Sequence, residues 1–327
     1  MMQDVITIVV AADGSGDYDN VQDAVDSIDD SANQRTVIYI KNGVYKQKVK
    51  ITKPYITLIG EDRDYTVLTY DDSAHKLLPD GSEMGTFLTY STLITGNNFV
   101  AKNITFENSA GSGKIVGQAL AAYVAADRAK FVNCRFLGSQ DTLFTGPVPS
   151  DPPSLVPKED TSTYCRQFYE KCYIRGDVDF IFGSATAVFE ECEIYSNNRN
   201  MHPNGYITAA STYKDQPFGY VFLSCRLISD AAENSVYLGR PWREYAKTAF
   251  INCWMGPHIK AEGWHNWSKP ERESTVSYEE YNNSGPGANT TGRVSWAKFL
   301  DDSQAKNYTV KNILYGPDGW NPEEEDV

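Results

Sequence analysis

The chain is short of bases: 30 Lys and Arg stand against 43 Asp and Glu, a formal charge of −13 over 327 residues. Nucleic acid and anionic membranes are therefore not expected partners, because phosphate binding needs a basic surface. No run of about 18 apolar residues occurs, so no membrane-spanning helix is expected. Six cysteines in 327 residues are too few for a disulfide scaffold, and no CxxC pair occurs among them. With only four scattered histidines (His75, His202, His258, His265), no structural zinc site is expected, nor any other metal or cofactor. There is no GxSxG elbow for a serine nucleophile. The fragment Gly111-Ser-Gly-Lys114 fails as a phosphate loop, because Asn108 takes the first glycine position and Ile115 follows the lysine. The start, Met1-Met2-Gln3-Asp4, has neither a basic n-region nor an apolar h-region. Two placements stay open: cytoplasmic if residue 1 is the native start, secreted if a leader has been removed.

What is abundant is aromatic, 13% of residues with 21 Tyr and 6 Trp. Buried core and a sugar-stacking surface both account for that. Five of the six cysteines share one frame: apolar residue, two positions, Cys, one position, apolar residue. It reads Phe131-Val-Asn-Cys134-Arg-Phe136, Tyr169-Glu-Lys-Cys172-Tyr-Ile174 and Phe189-Glu-Glu-Cys192-Glu-Ile194. It returns as Phe222-Leu-Ser-Cys225-Arg-Leu227 and Phe250-Ile-Asn-Cys253-Trp-Met255. Ile104 fills the cysteine slot in Asn103-Ile-Thr-Phe106, and Ile56 is a further candidate. From Ile104 onward the slots are 30, 38, 20, 33 and 28 residues apart. A short strand with a fixed inward slot, repeating at 20 to 38 residues, predicts an all-β solenoid, a single parallel β-helix whose corners absorb loops of different length. Asn20 and Asp23 predict a capped amphipathic helix within about residues 18–30, closing one end of the stack. Residues 1–327 then form one domain. The polar stretch 282–292 and the acidic tail belong to a C-terminal coil spanning about 270–327.

The frame also aligns acids. Seven residues past Cys134 is Asp141, and seven past Cys172 is Asp179. In stacked coils these carboxylates lie about 4.8 Å apart. Two acids that close do not both ionise readily, which favours one protonated acid beside one anion. Arg199, seven past Cys192, is expected to continue the column as a cation. Gln140 and Gln118 place amide donors beside the acids, as a developing oxyanion requires.

At these residues the chain resembles the pectin methylesterases, or pectinesterases. The matching motifs are Gly117-Gln-Ala-Leu-Ala121, Gln140-Asp-Thr-Leu-Phe144, Gly176-Asp-Val-Asp-Phe-Ile-Phe-Gly183 and Tyr237-Leu-Gly-Arg-Pro-Trp242, with weaker matches at Asp13–Tyr18 and Asn103–Asn108. The similarity runs from about residue 5 to about residue 270. It implies a right-handed parallel β-helix and removal of methyl from galacturonate esters in pectin or its oligomers. By the resemblance, Asp179 is the nucleophile, Asp141 the acid and later the base, and Gln118 and Gln140 the oxyanion donors. Arg240 is the partner that keeps Asp179 ionised. Trp242 is the sugar platform, and Phe182, Val178, Arg199 and Thr86 line the groove. The expected partner is methyl-esterified homogalacturonan or its oligomers, and the expected state is a monomer. The charge of −13 agrees with a preference for neutral, methylated stretches.

Three alternatives stay open on the residues alone. Paired acids also serve glycosidases or lyases on this fold, and a noncatalytic carbohydrate-binding solenoid is the third possibility. A Pro-rich insertion at about 146–164 departs from the short link of plant members; either it narrows the cleft or it is a passive surface loop. Cys172 and Cys192 share a slot on adjacent coils. The resemblance implies a bridge there in some relatives, while a reduced, buried stack is the other reading.

Overall fold

The computed structural model describes residues 6–29, 34–147 and 165–324. The chain winds as a parallel β-helix with three walls: a sheet of eleven strands, one of eight and one of seven, all named strand pairs being parallel. Each turn of chain between Thr36 and Gly239 lays one strand on each wall, so consecutive coils pair in register, and the eleven-stranded wall is extended at both ends.

The sequence frame marks one corner of every coil, where the eleven-stranded wall bends into the eight-stranded one. The residue before each slot is left-handed there: Asn103, Asn133, Lys171, Glu191, Ser224 and Asn252 all have φ between 51° and 56°. That conformation turns the chain sharply, and Asn tolerates it best among residues with a Cβ. Asn133 also donates to the Asn103 side chain at 2.8 Å, tying one corner to the next. The slot residue then points inward. Cys134, Cys172, Cys192, Cys225 and Cys253 are all buried, and each thiol donates to a backbone carbonyl of the preceding coil at 3.2–3.5 Å. Cys172 and Cys192 are reduced members of this stack.

Three residues before each cysteine of the frame stands an aromatic ring. Phe131, Tyr169, Phe189, Phe222 and Phe250 form a ladder with centroids 4.8, 4.7, 4.6 and 4.4 Å apart and interplanar angles of at most 12°. Each step matches the strand spacing, so parallel stacking follows from coil register itself. Ile56 does not belong to the cysteine corner. It opens a strand of the eleven-stranded wall, where Thr57 pairs with Val100 and Ile56 is therefore level with Phe99. The left-handed Tyr55 before it marks another corner, shared with Asn98 and Arg128.

The expected N-terminal cap is the helix Val21–Asp26. Its capping residue Asn20 accepts from the Asp23 N–H at 2.9 Å, and Val21, Ala24 and Val25 are buried. The segment from 270 is more ordered than the coil expected of it. Ser277–Tyr281 and Lys298–Phe299 extend the eleven-stranded wall, and the helix Val310–Leu314 packs on its outer face against Val188, Val221 and Ala249. This last segment is strapped to a middle coil. Arg166 binds both Asp127 and Asp318, Arg128 joins Asp318 at 2.8 Å, and Lys130 donates to the Pro322 carbonyl at 2.6 Å. Most of the insertion expected at 146–164 lies outside the described residues, and so does its expected place at a cleft rim; the end of the acidic tail lies outside them too.

Candidate active site

The seven-stranded wall has apolar cover on both faces. Inside lies the core; outside, a second cluster of Tyr90, Leu93, Leu120, Tyr123, Phe144 and Phe182 is joined by Phe87, Trp242 and Trp267. The aromatic residues are thus divided between the core and this outer cluster. Above the outer cluster opens a cleft with about 590 Å³ of open space, lined by Thr86, Phe87, Gln118, Gln140, Asp141, Asp179, Phe182, Ala209, Arg240, Trp242 and Trp267.

Asp141 and Asp179 stand one above the other. Leu143 pairs with Ile181, which sets the two acids level, and the Asp141 N–H donates to the Val178 carbonyl at 3.0 Å. Both acids are left-handed, with φ of 63° and 51°. Asp179 has a further cause of exposure to the cleft. Against the next strand, Val178 pairs with Tyr206 and Ile181 with Thr208, so three steps on one strand oppose two on the other. The extra residue is a bulge, which re-aims side chains and recurs beside active sites.

The glutamines are set by close backbone packing. The Gln118 carbonyl accepts from the Ala74 N–H at 2.8 Å, and the Gln140 carbonyl accepts from the Ala119 N–H at 3.1 Å. Gly117, just before Gln118, has φ of 78°, and a Cβ there would lie 2.2 Å from the His75 ring. Only glycine satisfies both demands. The amide of Asn108 braces the floor from behind, donating to the carbonyls of Asp72, Thr89 and Leu120 at 2.9–3.2 Å.

Arg240 serves Asp179. Its Nε and Nη2 donate to the two carboxylate oxygens at 2.8 and 2.7 Å, a bidentate fork. The guanidinium is also covered on its flat faces, with its carbon 3.8 Å from the centroids of both the Tyr206 and Trp267 rings. The electrostatics differ between the acids. Burial, then the neighbouring Asp179 charge, push the Asp141 carboxyl well above the ordinary carboxylate value, against the pull of Arg240. Burial also raises Asp179, but there the hydrogen bonds and charge of Arg240 oppose it directly. For Asp179 burial outweighs the guanidinium, so its carboxyl too lies above its ordinary value. The order of the pair is kept: Asp141 holds its proton more tightly than Asp179.

Two expected residues are not in the cleft. Strand Gly205–Ala210 brings Tyr206, not Arg199, level with Val178, since residues 197–204 form a loop at the corner from the eight-stranded into the seven-stranded wall. Arg199 turns aside, donating to the Asn204 carbonyl at 3.1 Å with its Nε 4.0 Å from Asp177. Val178 is buried and contributes its carbonyl to Asp141 instead of a side chain to the cleft. Phe87, Ala209, Trp267 and Tyr206 went unnoticed in the sequence. The dense run Gly263-Trp-His-Asn-Trp267 was a usable signal for Trp267; nothing local marks Tyr206, which reaches the site only through coil stacking.

The family model described as Pectinesterase matches residues 7–150 and 155–317. Pectinesterase 31 of Arabidopsis thaliana is 39% identical over 312 residues, covering 93% of this chain and 91% of that protein. The structure of pectin methylesterase from carrot is similar with a TM-score of 0.81 at 33% identity, over 96% of this chain and 94% of that one. A pectin methylesterase in complex with hexasaccharide VII also reaches 0.81, at 30% identity over 98% and 99% of the two chains.

Proposed function

The chain belongs to the pectinesterase family, a carboxylic ester hydrolase acting on pectin, and on that premise we propose how its residues divide the work. Asp179 attacks the carbonyl carbon of a galacturonate methyl ester. The carbonyl oxygen becomes an oxyanion that takes hydrogen bonds from the Gln118 and Gln140 amides. Asp141 gives its proton to the departing methoxide, which leaves as methanol, and an anhydride joins Asp179 to the sugar. Asp141, now a carboxylate, takes a proton from water, and the hydroxide so formed attacks the galacturonate carbonyl. The Asp179 carboxylate leaves into the waiting fork of Arg240. One ester and one water have become one acid and one methanol, with Asp141 protonated again.

The observation that carries this reading is the asymmetry of the pair: Arg240 forks onto Asp179 alone, beside an Asp141 whose carboxyl burial pushes well above the ordinary carboxylate value. It also argues against a lyase, because an arginine held by a carboxylate on its edge and rings on both faces is a poor proton acceptor. The substrate is read as a neutral, methylated stretch of homogalacturonan. Once the ester is gone, the product carboxylate sits against Asp179 in a buried cleft, and like-charge repulsion assists release.

Incubation with methylated pectin, measuring methanol, reducing ends and unsaturated product together, tests the assignment. Methanol alone is expected, and Asp179→Ala should reduce its release by roughly 10³-fold or more while circular dichroism stays unchanged. Reducing ends or unsaturation without methanol would overturn it, as would an active Asp179→Ala variant.

A further inference from the structure

Arg240 is the second of five layers in a pile of rings and cations. On one face lies Trp267. On the other lies Tyr206, whose ring is stacked on Tyr237 at 5.3 Å and 6°, and the Lys260 ammonium is 5.2 Å from the Tyr237 ring. The pile follows coil register: Val178 pairs with Tyr206, Tyr206 with Tyr237, and the bridge of Val236 to Ile259 brings Lys260 level with Tyr237. His265 fastens the pile from the side. Its ring stands at a steep angle to Tyr206 and Tyr237, at 5.6 and 5.2 Å, and its Nδ1 accepts from the Trp267 N–H at 3.0 Å. Trp267 and Ser268 are both left-handed, with φ of 60° and 55°, so this loop is held in a turn that the hydrogen bond secures.

We propose that Tyr206 and His265 are positioning residues for the esterase reaction: Tyr206 by closing one face of the Arg240 guanidinium, and His265 by holding Trp267 against the other. A guanidinium with both faces covered has only its edge left for hydrogen bonding, and that edge meets the Asp179 carboxylate. The rings exclude water from the fork and confine the long side chain to one rotamer. Asp179 sits on a bulge in the left-handed region and is not fixed by a regular ladder. Its aim at the ester carbon therefore depends on the fork, and the fork depends on the two plates. Neither Tyr206 nor His265 itself lines the cleft: Tyr206 acts through Arg240, so its effect falls on turnover instead of substrate binding, while His265 acts through Trp267, a cleft residue, so its effect on turnover comes with or without a change in KM. This rests on the reading of Asp179 as nucleophile with Arg240 as its partner.

Two matched pairs of variants test it by steady-state kinetics on methylated pectin, with the melting temperature recorded for each. Tyr206→Phe keeps the ring and should retain wild-type kcat; Tyr206→Leu removes it and should lower kcat on the order of ten- to a hundredfold with KM unchanged. His265→Asn keeps an acceptor that reaches the N–H two residues on and should stay active. His265→Leu lacks one and should lose kcat in the same direction. Full kcat in both leucine variants would overturn the proposal. So would equal losses in Phe and Leu, or losses confined to KM. Should Tyr206→Leu fail to fold, the His265 pair still decides, because it leaves the ring pile in place. If Asp179→Ala keeps its turnover, the underlying reading fails. If Asp179→Ala is inactive while both leucine variants work normally, only the present inference fails.

Discussion

At the corner leading into the eight-stranded wall, every coil repeats the last: a left-handed residue, an inward cysteine, a thiol bonded one coil back, and a ring stacked on the ring before it. On the seven-stranded wall the same coils disagree. Asp141 and Asp179 share a register, but the Asp179 strand carries a bulge, the next coil answers with Tyr206, and the one after contributes the motif that carries Arg240. One corner is a lattice and the other an assembly of unlike parts. Repetition serves stability, because identical steps stack with little strain. Chemistry needs an acid, a base, a cation and donors at one point, so the repeat must be broken where they meet.

Exchanging roles within the pair is the most damaging way to break this contrast. Asp141→Asn keeps the shape but removes the transferable proton, and kcat should fall by about 10²–10⁴-fold. The same change should stabilise the fold at neutral pH. The folded pKa of Asp141 is raised by burial, so the charge is costly above it. Below the unfolded value of about 3.9 both states hold the proton and the cost is absent. The gain in melting temperature should therefore be present at pH 7 and vanish toward pH 4; a gain independent of pH would contradict the assigned burial. Arg240→Lys comes next. It keeps the charge but loses the fork and the flat faces, and a kcat loss of about 10²-fold is expected. An unaffected rate would mean that charge alone suffices. The smallest functional effect belongs to the lattice: Cys192→Ala should cost about 1–2 kcal/mol in denaturant unfolding and leave kcat as it was. A change in turnover there would show that the two corners are mechanically linked.

The same division governs what could be read from the residues alone. The slot frame, the aromatic three positions earlier and the acids seven positions later are all spacings within one coil, and spacing is what a sequence displays. Asp141 and Asp179 came from counting, and the capping helix from Asn20 and Asp23. Arg199 failed because the count assumed equal coils, and residues 197–204 lengthen that one before Tyr206 takes its place. Ile56 failed for a related reason, since two different corners of the coil both use a left-handed residue. Tyr206 and Trp267 meet Arg240, and Phe87 meets Phe182 and Trp242, only across coils, with no fixed offset to announce them. The pKa order was legible from proximity and charge, but the size of burial was not, and burial decided the direction for Asp179.

The strap from the last segment back to the middle of the stack has a consequence for how the molecule comes apart. In a stack of coils each turn touches only its neighbours, so fraying can begin at an end and run inward one turn at a time. Here Asp318 and Pro322 are bound to Arg128, Lys130 and Arg166, residues 152 to 192 positions earlier in the chain. The final turns cannot peel away without first releasing a coil that also lies beside Asp141 and Asp179. The strap thus joins the loss of the C-terminal end to the loss of the centre, and gives a modular stack the cooperativity of a closed globule.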